Sequence, residues 1–337
     1  MPSPVTVFTL ADKFERGYIR SFNGAFQREL GHGFSAEAAY VGTRQIDQLG
    51  FRELNWSPIG GGNAGRQLNR QFGRTGQTKL IAPVGDSEYN SLQARLTRRF
   101  QNGYQFGVSY TLSKSEGVVS DSDNSLRINI PEYYDLNWAT SSFDRTHNLH
   151  ITGIYELPFG PGQRWLQTGV LGHIVGGWQL NTILSFYSGT PFGVSASSTS
   201  LNAPESNDQR ADLVKDEVEI LGGTGRGNPY FDPMAFKPVT EARFGTAPYN
   251  LLRGPGVAQW DLSVFRQLGL GHQFNLQIRF DAFNVTNRPR FSNPGSNVSN
   301  LQLNPDGTIR NLNGYTEITS TADDSERQMR LGIRLAW

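Results

Sequence analysis

The chain has 337 residues and a formal net charge of +1, so bulk charge points to no nucleic-acid or acidic partner. Cysteine is absent, which removes disulfides, thiolate metal sites and cysteine nucleophiles together. With 38 glycines, 12% aromatic residues and few runs of Ala, Glu and Lys, the composition reads as all-β with long irregular loops.

The opening, Met1-Pro-Ser-Pro-Val5, has no basic region followed by an apolar core, so no signal peptide is expected there. No apolar run approaches the roughly 18 residues that a transmembrane helix needs. Period-two alternation then marks about nine long strands. The first two cover Tyr18 to Leu30 and Phe34 to Thr43, joined at Gly31-His32-Gly33. The next pair covers Ser91 to Phe100 and Tyr104 to Ser113, joined at Gln101-Asn-Gly103, a strong hairpin signal. The fifth runs from His147 to Leu157 and the sixth from Trp178 to Tyr187. Between them lie Pro158-Phe-Gly-Pro-Gly162 and an apolar stretch from Trp165 to Val175, where one short helix at the membrane surface is expected. The seventh runs from Trp260 to Leu268 and the eighth from Gln273 to Asn284.

The ninth strand, Arg327 to Trp337, sorts its side chains most cleanly. Met329, Leu331, Ile333, Leu335 and Trp337 fall on one face, and Gln328, Arg330, Gly332, Arg334 and Ala336 on the other. An amphipathic strand that closes on an aromatic residue reads as a membrane-insertion signature, carried by Ile333, Leu335 and Trp337. A one-residue slip would place Arg330 and Arg334 in lipid at about 2–4 kcal/mol each near the midplane, so the register is fixed.

The connections alternate in length. Tight turns join strands one to two, three to four and seven to eight. Long loops are expected at Arg44 to Asn90, Lys114 to Thr146, Ser188 to Gln259 and Val285 to Glu326. Such alternation is what an antiparallel transmembrane β-barrel produces, with short periplasmic turns and long extracellular loops. Tyr104, Trp178, Phe186, Trp260, Phe274 and Trp337 lie at or near strand ends, as interfacial girdles require.

Sites of chemistry are sparse. Gly60-Gly-Gly62-Asn-Ala-Gly65 matches G-x-G-x-x-G, but it sits within a long loop and reads as a flexible segment, not a dinucleotide site. Asp121-Ser-Asp123-Asn-Ser125 starts like a calcium loop but lacks the following Gly and the distal Glu. His147 and His150 fall on opposite faces of one strand and cannot share a metal. No H-E-x-x-H, G-x-S-x-G or Walker A pattern is present, so neither catalysis nor a cofactor is expected. Arg95, Arg99, Arg279, Asp281, Arg330 and Arg334 are expected to face the lumen, as a solvated interior with cross-strand ion pairs or as the lining of a permeation path. Tyr230, Phe231, Phe236 and Tyr249, in the longest loop, offer rings for stacking on a ligand.

With these strands in place, the sequence resembles the barrel of TonB-dependent outer-membrane transporters of the Oar-like group, which carry a carboxypeptidase-regulatory-like domain. The likeness rests on Tyr18-Ile-Arg-Ser-Phe-Asn-Gly-Ala-Phe-Gln-Arg-Glu-Leu30, Phe143-Asp-Arg-Thr-His-Asn-Leu149, Tyr155-Glu-Leu-Pro-Phe-Gly160, Gly177-Trp-Gln179, Ser188-Gly-Thr-Pro-Phe192 and Phe280-Asp-Ala-Phe-Asn-Val-Thr-Asn287. It implies a barrel of about 22 strands, of which this chain would be the C-terminal part of a longer polypeptide, without plug, TonB box or signal peptide. The implied partners are the lipid bilayer, the barrel-assembly machinery, a small-molecule or oligosaccharide ligand, and the TonB complex acting through the plug region. The implied function is uptake of a scarce nutrient such as a siderophore, cobalamin or oligosaccharide. A surface or adhesion role without transport is the second expectation. A soluble, secreted carbohydrate-binding β-sandwich is the third, disfavoured because sandwich strands average only about five or six residues.

Overall fold

Alternating side chains and tight Gly- and Asn-containing turns build one antiparallel meander. The computed structural model describes residues 5–13, 15–118, 125–206, 208–271 and 274–337. Its long strands are β1 (Tyr18–Gly31), β2 (Phe34–Glu53), β3 (Thr78–Gln101), β4 (Tyr104–Gly117), β5 (His147–Glu156), β6 (Trp178–Tyr187), β7 (Val257–Gly269), β8 (Asn275–Phe283) and β9 (Gln328–Ala336). They pair strictly in chain order, from β1 at one edge to β9 at the other. Two short strands extend the sheet off this path: Val7–Leu10 runs parallel to the start of β3, and Ala139–Thr140 pairs with the end of β4. Among the described residues the sheet does not close on itself.

The register carries one apolar face across the whole sheet. Leu96, Val108, Ile151, Leu184 and Trp260 stand side by side on β3 to β7. Val264, Phe280 and Leu331 continue that face onto β9. The opposite face carries Glu37, Arg95, Ser109, His150, Ser185 and Gln259 in one row. Among the described residues the apolar face has no second sheet behind it: Leu331 is 72% exposed and Ile333 69%. The soluble sandwich is thereby excluded, since its strands would pack these side chains inward. Between Trp178 and Phe186 the apolar face of β6 spans about 26 Å along the strand, close to the ~25 Å apolar band of an outer-membrane barrel.

The tight turns lie at one end. His32 and Asn102 adopt left-handed backbone beside Gly33 and Gly103, closing the β1–β2 and β3–β4 hairpins. A short helix, α1 (Gln67–Phe72), lies between β2 and β3, and the β5–β6 connection holds the expected short helix, α2 (Gly169–Val175). The β7–β8 turn includes His272 and Gln273, which lie outside the described residues, as do Asp121 to Asn124 of the calcium-like stretch.

At the opposite end the structure departs from expectation in two ways. First, the segment 44–90 is not one loop. β2 continues to Glu53 and β3 begins at Thr78, with a bulge between Gln45 and Gln48 where Asp47 takes a left-handed conformation. The apolar period ends beyond Tyr40, Leu92 and Leu112: Arg20, Arg44, Glu88 and Glu116 occupy the apolar-face positions there, and Arg44 pairs with Glu88. Alternation of greasy and polar residues vanishes, although the backbone ladder persists.

Second, the long connections fold together and hold the hydrophobic core. One cluster centres on Phe192, Phe231, Phe236, Val298, Tyr315 and Ile318, and another on Ile128, Ile130, Leu201, Phe244 and Tyr249. The rings noted in the longest loop as available for stacking are buried: Phe231 is 0% exposed and Tyr249 9%. Phe231 meets Phe192, Phe236 and Tyr315 ring to ring. Tyr249 lies between the guanidinium groups of Arg127 and Arg210 and donates its hydroxyl to the Asp208 carbonyl at 3.0 Å. These segments close on themselves because irregular chain this long must bury apolar surface of its own.

Candidate functional site

The long-loop end contains a polar cavity of about 310 Å³ where the end of β2 and the start of β3 meet segment 125–129, Glu205 and Asp208. Its walls are stitched by backbone geometry. The Leu126 N–H donates to the Phe51 carbonyl at 3.0 Å, and the Glu53 N–H donates to Asn129 Oδ1 at 2.8 Å. Asn129 in turn donates its own N–H to Ser206 Oγ at 3.1 Å and its side-chain amide to the carbonyls of Leu126 and Glu205.

Glu53 is the notable lining residue, only 5% exposed. Its Oε1 accepts the N–H groups of Asn55 and Thr78, each at 2.7 Å, while Oε2 has no hydrogen-bond partner among the described residues. Burial pushes this carboxyl above its usual range, and the two amide donors pull it partly back. The charges around it are balanced. Arg66 reaches Glu205 at 2.7 Å, and Arg127 reaches Asp208 at 3.4 Å. Lys79 lies over the Phe51 ring at 5.8 Å. The cavity thus brings acidic side chains (Glu53, Glu205, Asp208) and basic ones (Lys79, Arg127) to one lining, a setting suited to a compact polar ligand. Sequence reasoning missed it, because Arg52-Glu53-Leu54-Asn55 looks like ordinary solvated loop.

Gly60 to Gly65 belongs to this end of the molecule. The segment expected to be a flexible loop ends in a 3-10 turn (Asn63–Gly65) and is pinned: the Gly60 and Gly62 N–H groups donate to the carbonyls of Leu201 and Asn202, each at 2.7 Å. The expected lumen-facing charges share the polar face. Arg279 bonds Asp281 along its own strand at 2.8 Å, and Arg330 stands directly across from Asp281. Arg334 stands across from Gln277, Arg95 is flanked by Glu37 and Ser109, and Arg99 reaches Glu29 at 3.0 Å. These positions do not converge on a pocket with Glu53. His147 and His150 lie on opposite faces, beside the Tyr110 hydroxyl at 2.7 Å and Ser185 Oγ at 3.1 Å. No cluster of metal-ligating side chains occurs among the described residues.

Two of the motifs quoted above fasten this end. Asp144, in Phe143-Asp-Arg-Thr-His-Asn-Leu149, accepts the Ser115 N–H at 2.7 Å and pairs with Arg253. Asn284, in Phe280-Asp-Ala-Phe-Asn-Val-Thr-Asn287, donates to the carbonyls of Arg288 and Ser325 from a left-handed backbone.

A family model described as an outer membrane beta barrel domain matches residues 1–330. The chain belongs to that family. It is a bacterial outer-membrane β-barrel protein, as the exposed apolar face requires. Among solved structures, the outer membrane transporter YddB from Escherichia coli aligns over 100% of this chain and 34% of its own, with a TM-score of 0.52 and 11% identity. The FrpB iron transporter from Neisseria meningitidis aligns over 98% of this chain and 32% of its own, with a TM-score of 0.45 and 11% identity. FpvA of P. aeruginosa, solved with heterologous pyoverdines, aligns over 96% and 27%, with a TM-score of 0.41 and 10% identity. The chain therefore spans about a third of the length of the transporters it matches. The shared fold with YddB agrees with the resemblance to transporter barrels read from the motifs. No curated protein sequence matches the chain.

Proposed function

We propose that the chain forms the C-terminal part of the barrel of a TonB-dependent receptor that takes up a scarce nutrient and has no catalytic role of its own. In this reading the plug region and TonB box lie elsewhere on the full receptor, and the barrel-assembly machinery inserts the strands. The observation that carries it is the cavity at the outer end. Its lining gathers Glu53, Glu205, Asp208, Lys79 and Arg127 where the long connections meet the strand ends. The cavity volume suits a sugar ring or a compact donor group of a larger siderophore or oligosaccharide, and not an entire cobalamin.

Deletion of the gene followed by growth on single iron, cobalamin and glycan sources tests the reading. Lost growth on one source, reproduced by Glu53→Gln in protein still present in the membrane, supports it. Normal uptake with altered cell contact overturns it in favour of an adhesion role.

A further inference from the structure

The apolar face of the sheet does not stop at the tight-turn end. Trp178 and Arg266 stand opposite each other on the same face as Leu180, Leu184 and Val264, at its lower margin. Both side chains reach α2. The Trp178 indole N–H donates to the Ile174 carbonyl at 3.1 Å, and the Arg266 guanidinium donates to the carbonyls of Ile174, at 2.9 Å, and His173. Arg266 also lies over the Trp178 ring at 6.0 Å. A cation at the last carbonyls of a helix offsets the negative end of its dipole. That accounts for an arginine on the greasy face: its two terminal nitrogens both donate to the end of α2.

The tether holds the helix against the lipid side of the sheet, and the helix leaves its own apolar residues uncovered. Val170 is 75% exposed, Leu171 65% and Ile174 58%, and Ile174 lies four residues after Val170 and three after Leu171, so all three border one helix face. Trp165 and Leu166, just before the helix, are exposed as well. This patch is continuous with the band already facing acyl chains.

We propose that α2, with Trp165 and Leu166, is an interfacial anchor seated in the periplasmic leaflet, where phospholipid covers Val170, Leu171 and Ile174. The partner is phospholipid because the patch extends the bilayer-facing surface and is fixed to it by Trp178 and Arg266. A tryptophan at the rim and an aliphatic face below it match the headgroup and acyl boundary. The inference rests on bilayer placement and is independent of what the receptor carries.

The absence of cysteine makes the test direct. Single variants Leu171→Cys and Ile174→Cys, spin-labelled in the full chain reconstituted into phosphatidylethanolamine–phosphatidylglycerol vesicles, are compared with Leu184→Cys on the lipid face and Ser109→Cys on the polar face. The expected result is collision with oxygen favoured over a water-soluble nickel complex, as for Leu184→Cys. Preference for nickel, as for Ser109→Cys, overturns the proposal, and so does exclusion of both, which would mean a protein cover. Adding Arg266→Gln is expected to shift the Leu171 label toward nickel while leaving the Leu184 label unchanged. A Leu171 label that does not move would overturn the tethering role of Arg266.

Discussion

Single side chains at the outer end account for why certain residues recur in motifs and why others escaped notice. Asp144 and Asn284 sit in stretches that carry the family likeness, and both fasten backbone where a strand gives way to a loop. Asp144→Ala removes the acceptor for Ser115 and the partner of Arg253 together, so a loss of about 3 kcal/mol is expected for the loop end, measured as earlier protease cleavage in segments 118–146 and 188–256. Glu53 makes a prediction of opposite sign. Its carboxyl holds a proton more tightly in the folded state than in the unfolded one, so stability falls as pH rises from the ordinary carboxylate range through the raised folded value. Glu53→Gln should abolish that part of the pH dependence, and hydrogen exchange at Thr78 and Asn55 across pH 4 to 8 measures it; an unchanged slope would remove Glu53 as its source.

Elements were legible where the bilayer imposed a pattern and illegible beyond it. Nine strands were readable because lipid on one side and water on the other force a period of two, and each observed strand contains or closely overlaps the expected one. The outer halves of β2 and β3 were not readable, since Arg44 and Glu88 occupy positions that no longer touch lipid. The same asymmetry predicts the effect of charge. Val108→Arg should lower the stability of the inserted sheet by about 2–4 kcal/mol, whereas Ser109→Arg, one residue along and facing the polar side, should cost little. Urea titration of tryptophan fluorescence in vesicles separates the two, and equal losses would mean that the assigned faces are wrong.

At the scale of the whole molecule, two stabilising regions are stacked end to end. The sheet owes its position to lipid, and the packed connections above it owe theirs to a water-excluded core around Phe231 and Tyr315. That core was hidden in the sequence because its members come from irregular segments with no period to detect. Phe231→Ala should cost about 3–5 kcal/mol by opening a cavity and should expose the connections to protease while leaving the heat resistance of the sheet on gels unchanged. Joint loss of both would show that the two regions unfold as one.

The interlocking of the long connections also restricts how this outer surface can change. Thr190 bonds Asn293, Asn129 bonds Ser206 and Asn250 bonds Thr140, so each contact closes a long excursion of the chain. None of these pieces has a complete partner set until strands far apart in the polypeptide have taken their places, which puts maturation of the mouth after assembly of the wall. Grafting one excursion from a relative would leave its neighbours with orphaned donors, so exchange of this surface requires matched replacement of several excursions at once.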